Sequence, residues 1–227
     1  MPTVISNRPA SSVSRKRVWT TGRKIMGNLL PTLFALPPAG YGIWWMALHS
    51  DIGGRGFWIF ASSPIVGWLA MNFLGLFQNG ELKQELLVLF RSIRGKPPEA
   101  RYFVGVATPK YTSLLDPHED IGYLMLFRDR LEFVGDHLHF TIYKESIAGI
   151  QFRMNPHTLV GLGRWVAIDG EMDGHPIRLQ IELRENATLL GNMMKSGDFK
   201  RQIEAWLTQK GPESSDPGPI DSRRRKS

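Results

Sequence analysis

The sequence contains no cysteine. That excludes disulfides, thiolate metal sites and cysteine nucleophiles, and it leaves the compartment open, because a cysteine-free chain can live anywhere. Charge is missing from two long stretches. Ile25 to Ser50 and Gly56 to Gly80 contain no Lys, Arg, Asp or Glu. A helix lying on a soluble core keeps a polar face, and these stretches keep none. Catalytic signatures are missing too. There is no G-x-S-x-G nucleophile elbow and no Walker A loop, and Gly161-x-Gly163 is too short for a nucleotide fingerprint.

Acidic residues are absent from the first 24 positions, where Arg8, Arg15, Lys16, Arg17, Arg23 and Lys24 stand. The net charge of +7 therefore resides largely in this basic arm, residues 1–24. Arg101 to Lys210 holds 13 basic and 14 acidic residues. A nucleic-acid-binding domain carries a basic face of its own, so nucleic acid is not an expected partner.

The uncharged stretches read as two membrane spans within residues 25–79, from roughly Met26 to Leu48 and from roughly Gly56 to Phe77. About 20 apolar residues of helix cross a hydrocarbon core about 30 Å thick. Pro31, Pro37 and Pro38 should kink the first span. Trp44, Trp45 and Trp58 suit the aromatic belt of an interface. A cleaved signal peptide would explain one hydrophobic run but not two.

Only His49 to Arg55 connects the spans, so they form a tight hairpin with both chain ends on one side. Basic residues flank that side, and Lys83, Arg91, Arg94 and Lys96 follow the second span. The positive-inside rule then predicts an integral plasma (inner) membrane protein with both termini cytoplasmic. Arg15, Lys16, Arg17, Arg23, Lys24, Arg91, Arg94 and Lys96 are the candidate contacts to lipid headgroups. Each basic residue near anionic lipid contributes about 1 kcal/mol. Gly40, Gly42, Ala61, Ser62, Ser63 and Gly67 offer small-residue surfaces for self-association.

Residues 80–98 read as an amphipathic linker helix, with Leu82, Leu86, Leu89, Phe90 and Ile93 at helical spacing. It either packs on the following domain or lies in the membrane interface. Gly95, Pro97 and Pro98 stop it. Residues 99–210 form the soluble domain. Period-2 patterning marks seven strands: Tyr102–Thr108, Ile121–Phe127, Arg130–Val134, Leu138–Tyr143, Ile147–Arg153, Arg164–Asp169 and Ile177–Leu183. Met154 to Gly163 is the most irregular loop. Leu189 to Met194 is helical, Gly197-Asp198 breaks or re-caps the run, and Phe199, Ile203, Trp206 and Leu207 line a final helix. Residues 211–227 have the composition of a disordered tail.

The segments Gly122–Phe133 and Phe140–Ile150, followed by the Phe199–Leu207 helix, resemble the pleckstrin-homology (PH)-like superfold. The likeness is to small PH-like and GRAM-like domains of bacterial-type membrane proteins. The expected fold is thus α+β: a two-helix transmembrane hairpin, then a seven-stranded antiparallel PH-like barrel or sandwich capped by a C-terminal helix. The resemblance implies a binding or scaffolding module and not a catalyst. The Lys/Arg cluster that the family places in its first hairpin is represented by Arg128 and Arg130. With Arg153 and Arg164 these are the candidate contacts on the domain surface.

His118, His137, His139, His157 and His175 are the domain's histidines. A metal needs three or four converging ligands, and only the H-x-H pair His137/His139 and the cluster Asp116, His118, Glu119 and Asp120 approach that. These read as a strand edge and a solvated polar loop, so no metal, cofactor or catalytic residue is expected. The leading expectation is a membrane-tethered, non-catalytic module that recruits or regulates a protein partner or a second copy of itself. The alternatives are a domain that binds or senses anionic lipid, and an accessory subunit of a membrane enzyme or transporter.

Overall fold

The computed structural model describes residues 17–50, 52–90, 99–108, 111, 113, 116–172 and 175–209, with the backbone alone at 5–7, 88–90 and 172. Arg15, Lys16, Arg91, Arg94, Lys96 and the 211–227 tail lie outside the described residues.

Four helices come first: α1 (Thr21–Leu33), α2 (Leu36–His49), α3 (Arg55–Leu74) and α4 (Asn79–Phe90). The expected first span is therefore two helices. Pro37 and Pro38 have no N–H to give to the carbonyls four residues earlier, so the α-helical ladder fails there. Phe34 and Ala35 turn back to the carbonyls of Pro31 and Thr32 instead, and α2 restarts with proline in its first turn. Even so, α1 and α2 together run antiparallel to α3 along its whole length. Gly27 faces Gly75, Ala35 faces Gly67, and Gly42 faces Phe60 and Gly56. Among the described residues one helical stretch, Arg55–Leu87, is long and apolar enough to cross a membrane. Of the two expected spans, the second lies within this stretch, and the first, where a kink was expected, is divided at Phe34 and Ala35, so a two-helix transmembrane hairpin is not shown.

This hairpin is inverted relative to a soluble bundle. The buried residues of α2 and α3 are Gly42, Gly56, Ser63 and Asn72. Phe57, Trp58, Phe60, Ile65, Leu69 and Phe73 are exposed. A Cβ on Gly42 would stand 2.5 Å from the Phe60 nitrogen and 2.7 Å from the Gly56 carbonyl oxygen. Only glycine permits the two backbones to meet this closely.

The sheet follows: β2 (Ala100–Ala107), β3 (Asp120–Leu126), β4 (Arg130–Gly135), β5 (Leu138–Tyr143), β6 (Ile147–Arg153), β7 (Trp165–Met172) and β8 (His175–Leu183). All pairings are antiparallel, in the order β5-β4-β3-β2-β8-β7-β6. A short β1 (Ile5–Asn7), unforeseen in the basic arm, adds to the outer edge of β5.

The chain ends its fold in α5 (Leu189–Thr208), capped by the Thr188 side chain. Gly197-Asp198 does not break this helix. Leu189, Asn192, Ser196, Phe199, Ile203 and Trp206 are buried at spacings of three and four along one unbroken face, and that packing outweighs the roughly 1 kcal/mol penalty of a helical glycine. Phe199, Ile203 and Trp206 fill the core with Leu124, Phe133, Phe140, Val166 and Ile181. Seven antiparallel strands closed by a C-terminal helix fit the PH-like architecture.

Helix α4 lays its apolar stripe on the sheet. Leu82 and Leu86 are buried against Phe103, Ile121 and Tyr123. Of the two readings of the linker helix, the described part follows the one in which it packs on the domain. The base of the hairpin, α4 and one rim of the barrel thus converge on a single junction.

Candidate functional site: a buried charged junction

Glu182, on the outward face of β8, and Arg184, the first residue past its end, lie two residues apart. Beyond β8 the outward face is not in water. The base of the hairpin and the loop joining β6 to β7 cover it, and both side chains are buried. The loop between β2 and β3 brings Asp116 and His118 to the same place.

His118 sits between two carboxylates. Its Nδ1 is 2.8 Å from Asp116 Oδ1 and its Nε2 is 2.9 Å from Glu182 Oε2. The second contact has ion-pair distance without hydrogen-bond alignment. Asp116 also accepts from the His118 backbone N–H at 2.7 Å and from the Asn28 side-chain amide of α1 at 2.6 Å. Glu182 accepts from the Asn155 amide at 3.0 Å, with His157 3.8 Å away. Arg184 donates to Asn79 of α4 at 3.1 Å, and its own carbonyl accepts from the Asn79 amide at 3.0 Å. The Arg184 guanidinium lies 5.1 Å from the centre of the Trp19 ring.

The ring has no room to move. Trp165 meets it edge-on at 5.2 Å, and a Cβ on Gly105 would overlap it. Glycine at 105 is what lets an imidazole lie flat on β2.

Electrostatics follow from this geometry. Burial pushes Asp116 upward, but the charge and hydrogen bond of His118 outweigh it and hold the carboxyl at about 2. Burial likewise pushes Glu182 upward, and the close approach of the His118 and His157 rings outweighs it and holds the carboxyl at about 2. Burial pushes His118 downward, and Asp116 and then Glu182 overcome it, so its pKa is raised. Burial lowers the pKa of Arg184. Two carboxylates, an imidazolium and a guanidinium sum to zero, which is the condition under which buried charge is tolerated. Chemically this is a lock. Its members come from α1, α4, the β2–β3 loop, β8 and the β6–β7 loop, and their partners are one another.

The second acidic cluster is also committed. Asp120, Asp136 and His137 converge closely enough to hold a cation. The Asp120 carboxylate, however, accepts from the backbone N–H groups of Ile121, Asp136, His137 and Leu138. Asp136 accepts from those of Val18 and Trp19 at 2.9 Å. These carboxylates close the β4–β5 turn and fasten the chain entering α1. The H-x-H pair does not act together: His137 contacts Asp120, and His139 contacts Glu132.

The predicted basic contacts have varied fates. Arg23 grips Glu85 of α4 with both guanidinium arms, at 3.0 and 2.7 Å. Lys24 reaches the Tyr111 hydroxyl at 2.9 Å and the carbonyls of His118 and Glu119. Arg17 is exposed. Arg128 and Arg130 flank the β3–β4 turn, the second of the domain and not the first, and Arg130 pairs with Asp129 and Glu132. Arg153 and Arg164 flank the β6–β7 loop at the opposite side of the sheet.

The lock itself escaped sequence reasoning. Asp116 and His118 read as a solvated loop, and Glu182 and Arg184 as the polar half of an alternating strand. The one available signal was Gly105, opposite Glu182 in the β2–β8 register, where a strand interior gives up its side chain to admit another group.

No protein-family model matches the chain, and no curated protein matches it. Among solved structures it is similar to an apo form of the activated truncation of Vav1, at 10% identity and a TM-score of 0.35, covering 79% of this chain and 46% of that one. It is also similar to autoinhibited Vav1, at 11% identity and a TM-score of 0.30, covering 79% and 33%. The chain spans less than half the length of these proteins. Its fold assignment rests on its own strand order and helix.

Proposed function

We propose that this protein is a membrane-tethered, non-catalytic PH-like module, held rigidly at the cytoplasmic face, where it recruits or regulates a partner protein. One observation carries this reading: the helical hairpin presents its large apolar side chains outward and keeps glycine, serine and asparagine inside. Helices in lipid pack through small residues and turn their apolar bulk to the chains. In water such a surface would far exceed the few hundred Å² of contiguous apolar patch that soluble monomers tolerate. The 20 residues of α3 rise about 30 Å, the thickness of a hydrocarbon core. The charged lock then serves the tether, because it fixes the barrel's orientation to the hairpin. No reacting group is proposed. The most polar cluster is sealed on all sides by Trp165, Gly105, Asn28 and Asn79.

Single cysteines in this cysteine-free chain test the arrangement. In sealed cells a membrane-impermeant maleimide should label Ile52→Cys, at the hairpin tip, from outside. Glu145→Cys, on the barrel, should react only after permeabilisation. Labelling of both from outside, or of Glu145→Cys alone, would contradict the tether and its orientation.

A further inference from the structure

The barrel carries a second apolar surface that neither its core nor the junction uses. The β6–β7 loop holds a short 3-10 turn, Pro156–Val160, fixed by a reciprocal pair of hydrogen bonds between Asn155 and Thr158. This rigid turn leaves Leu159 79% exposed and Val160 52% exposed. Met154, at 69%, and Met194 of α5, at 70%, are exposed as well, and Phe152 precedes them on β6. Loops of this size normally turn polar residues outward.

The turn's height along the hairpin is fixed. The indole N–H of Trp68 donates to the Val160 carbonyl at 2.8 Å. Leu162 and Leu189 pack against Leu76, with Trp68 and Met71 alongside. Trp68 stands six residues before the last residue of α3, about 9 Å back along its axis. If α3 spans the hydrocarbon, the barrel rim reaches past the end of the helix to the level of the headgroup–acyl boundary. Interfacial apolar faces settle about 5–10 Å into that boundary.

The surrounding charge has the matching sign. Arg153, Arg164 and Lys195 lie on β6, at the loop's exit and on α5, and among the described residues none of them forms an ion pair. Arg164 donates to the Ser196 hydroxyl and the Met193 carbonyl and stacks on Phe152 at 4.0 Å. The Arg153 Nε is buried without a hydrogen-bond partner.

We infer that the Pro156–Val160 turn is a second membrane contact, which inserts Leu159, Val160 and Met154 into the lipid interface beside the hairpin, with Arg153, Arg164 and Lys195 meeting anionic headgroups. This rests on the reading of the hairpin as membrane-spanning. The turn would hold the barrel on its side against one leaflet and fix which face remains open to a partner.

Three single-cysteine variants of the full chain test it: Leu159→Cys, Ile65→Cys in the middle of α3, and Glu145→Cys on the far side of the barrel. Each is labelled with an environment-sensitive fluorophore and reconstituted in vesicles of phosphatidylcholine and phosphatidylglycerol. Nitroxide lipids carrying the spin label near the headgroup should quench position 159 more than those labelled at the chain end. Position 65 should show the reverse order, and position 145 should respond to neither. Quenching at 65 without quenching at 159 would overturn the interfacial turn and leave the hairpin reading intact. Absence of quenching at both would overturn the two together.

Discussion

At the residue scale, the decisive group is the buried quartet of Asp116, His118, Glu182 and Arg184. Removing one member of a buried charge set leaves the others uncompensated, at a cost of about 3–5 kcal/mol. Glu182→Gln should therefore destabilise the purified protein by about that much in thermal or denaturant unfolding. Lys83→Ala, at the half-exposed Lys83–Glu185 pair, should change stability by only about 0–1 kcal/mol. The quartet also sets a pH window. His118 is raised above its ordinary 6.5, so its contribution is fully present below 6.5 and is lost as pH rises through the folded value. Asp116 and Glu182 are held at about 2, below their ordinary 3.8 and 4.5. Their contribution is present above those ordinary values and fades as pH falls toward 2. The melting temperature should peak between roughly pH 4.5 and 6.5, and His118→Gln should flatten the alkaline limb. These four residues were illegible in the sequence as a group. Burial of Glu182 and Arg184 comes from α1, α4 and the β2–β3 loop, all more than sixty residues earlier in the chain, and from the β6–β7 loop, and period-2 alternation cannot tell an outward face in water from one covered by another part of the molecule.

At the scale of elements, local pattern carried further. The strand spans Leu138–Tyr143 and Ile147–Arg153 are recovered as expected, and the others shift by a few residues at their ends, because alternation and turn chemistry are both local. Where the outcome departs from pattern, longer-range packing or missing donors decide. Gly197 stays helical because its helix is clamped along a whole buried face. The first apolar run divides because Pro37 and Pro38 withdraw two consecutive donors. The antiparallel register of α1–α2 against α3 yields a sharp expectation. Ala35 and Gly67 approach so that a Cβ at 67 would lie 3.1 Å from that of Ala35, close to the roughly 3.5–4.5 Å of a disulfide. Ala35→Cys with Gly67→Cys should cross-link within one chain on mild oxidation, whereas Ala39→Cys with Gly67→Cys, one turn out of register, should not. Gly42→Leu should open the hairpin at its closest approach and cost at least about 1–3 kcal/mol by overpacking, read as lost cross-linking at 35 and 67.

At the scale of the whole molecule, two bodies with opposite solvent logic are joined through a charge-neutral core. The barrel buries Phe133, Phe140 and Phe199 and is nearly neutral outside. The hairpin buries glycine and shows tryptophan and phenylalanine. The long uncharged runs made the second body legible at once, since exclusion of charge over twenty residues is a property of composition. How the bodies dock was not legible, because it depends on Asn28, Asn79 and Trp19, which have no pattern of their own. The most direct test of the membrane tether is extraction of the full chain from native membranes. The chain should stay in the pellet through an alkaline carbonate wash and enter solution only with detergent. Recovery of the intact chain as a monodisperse monomer in detergent-free buffer would contradict it.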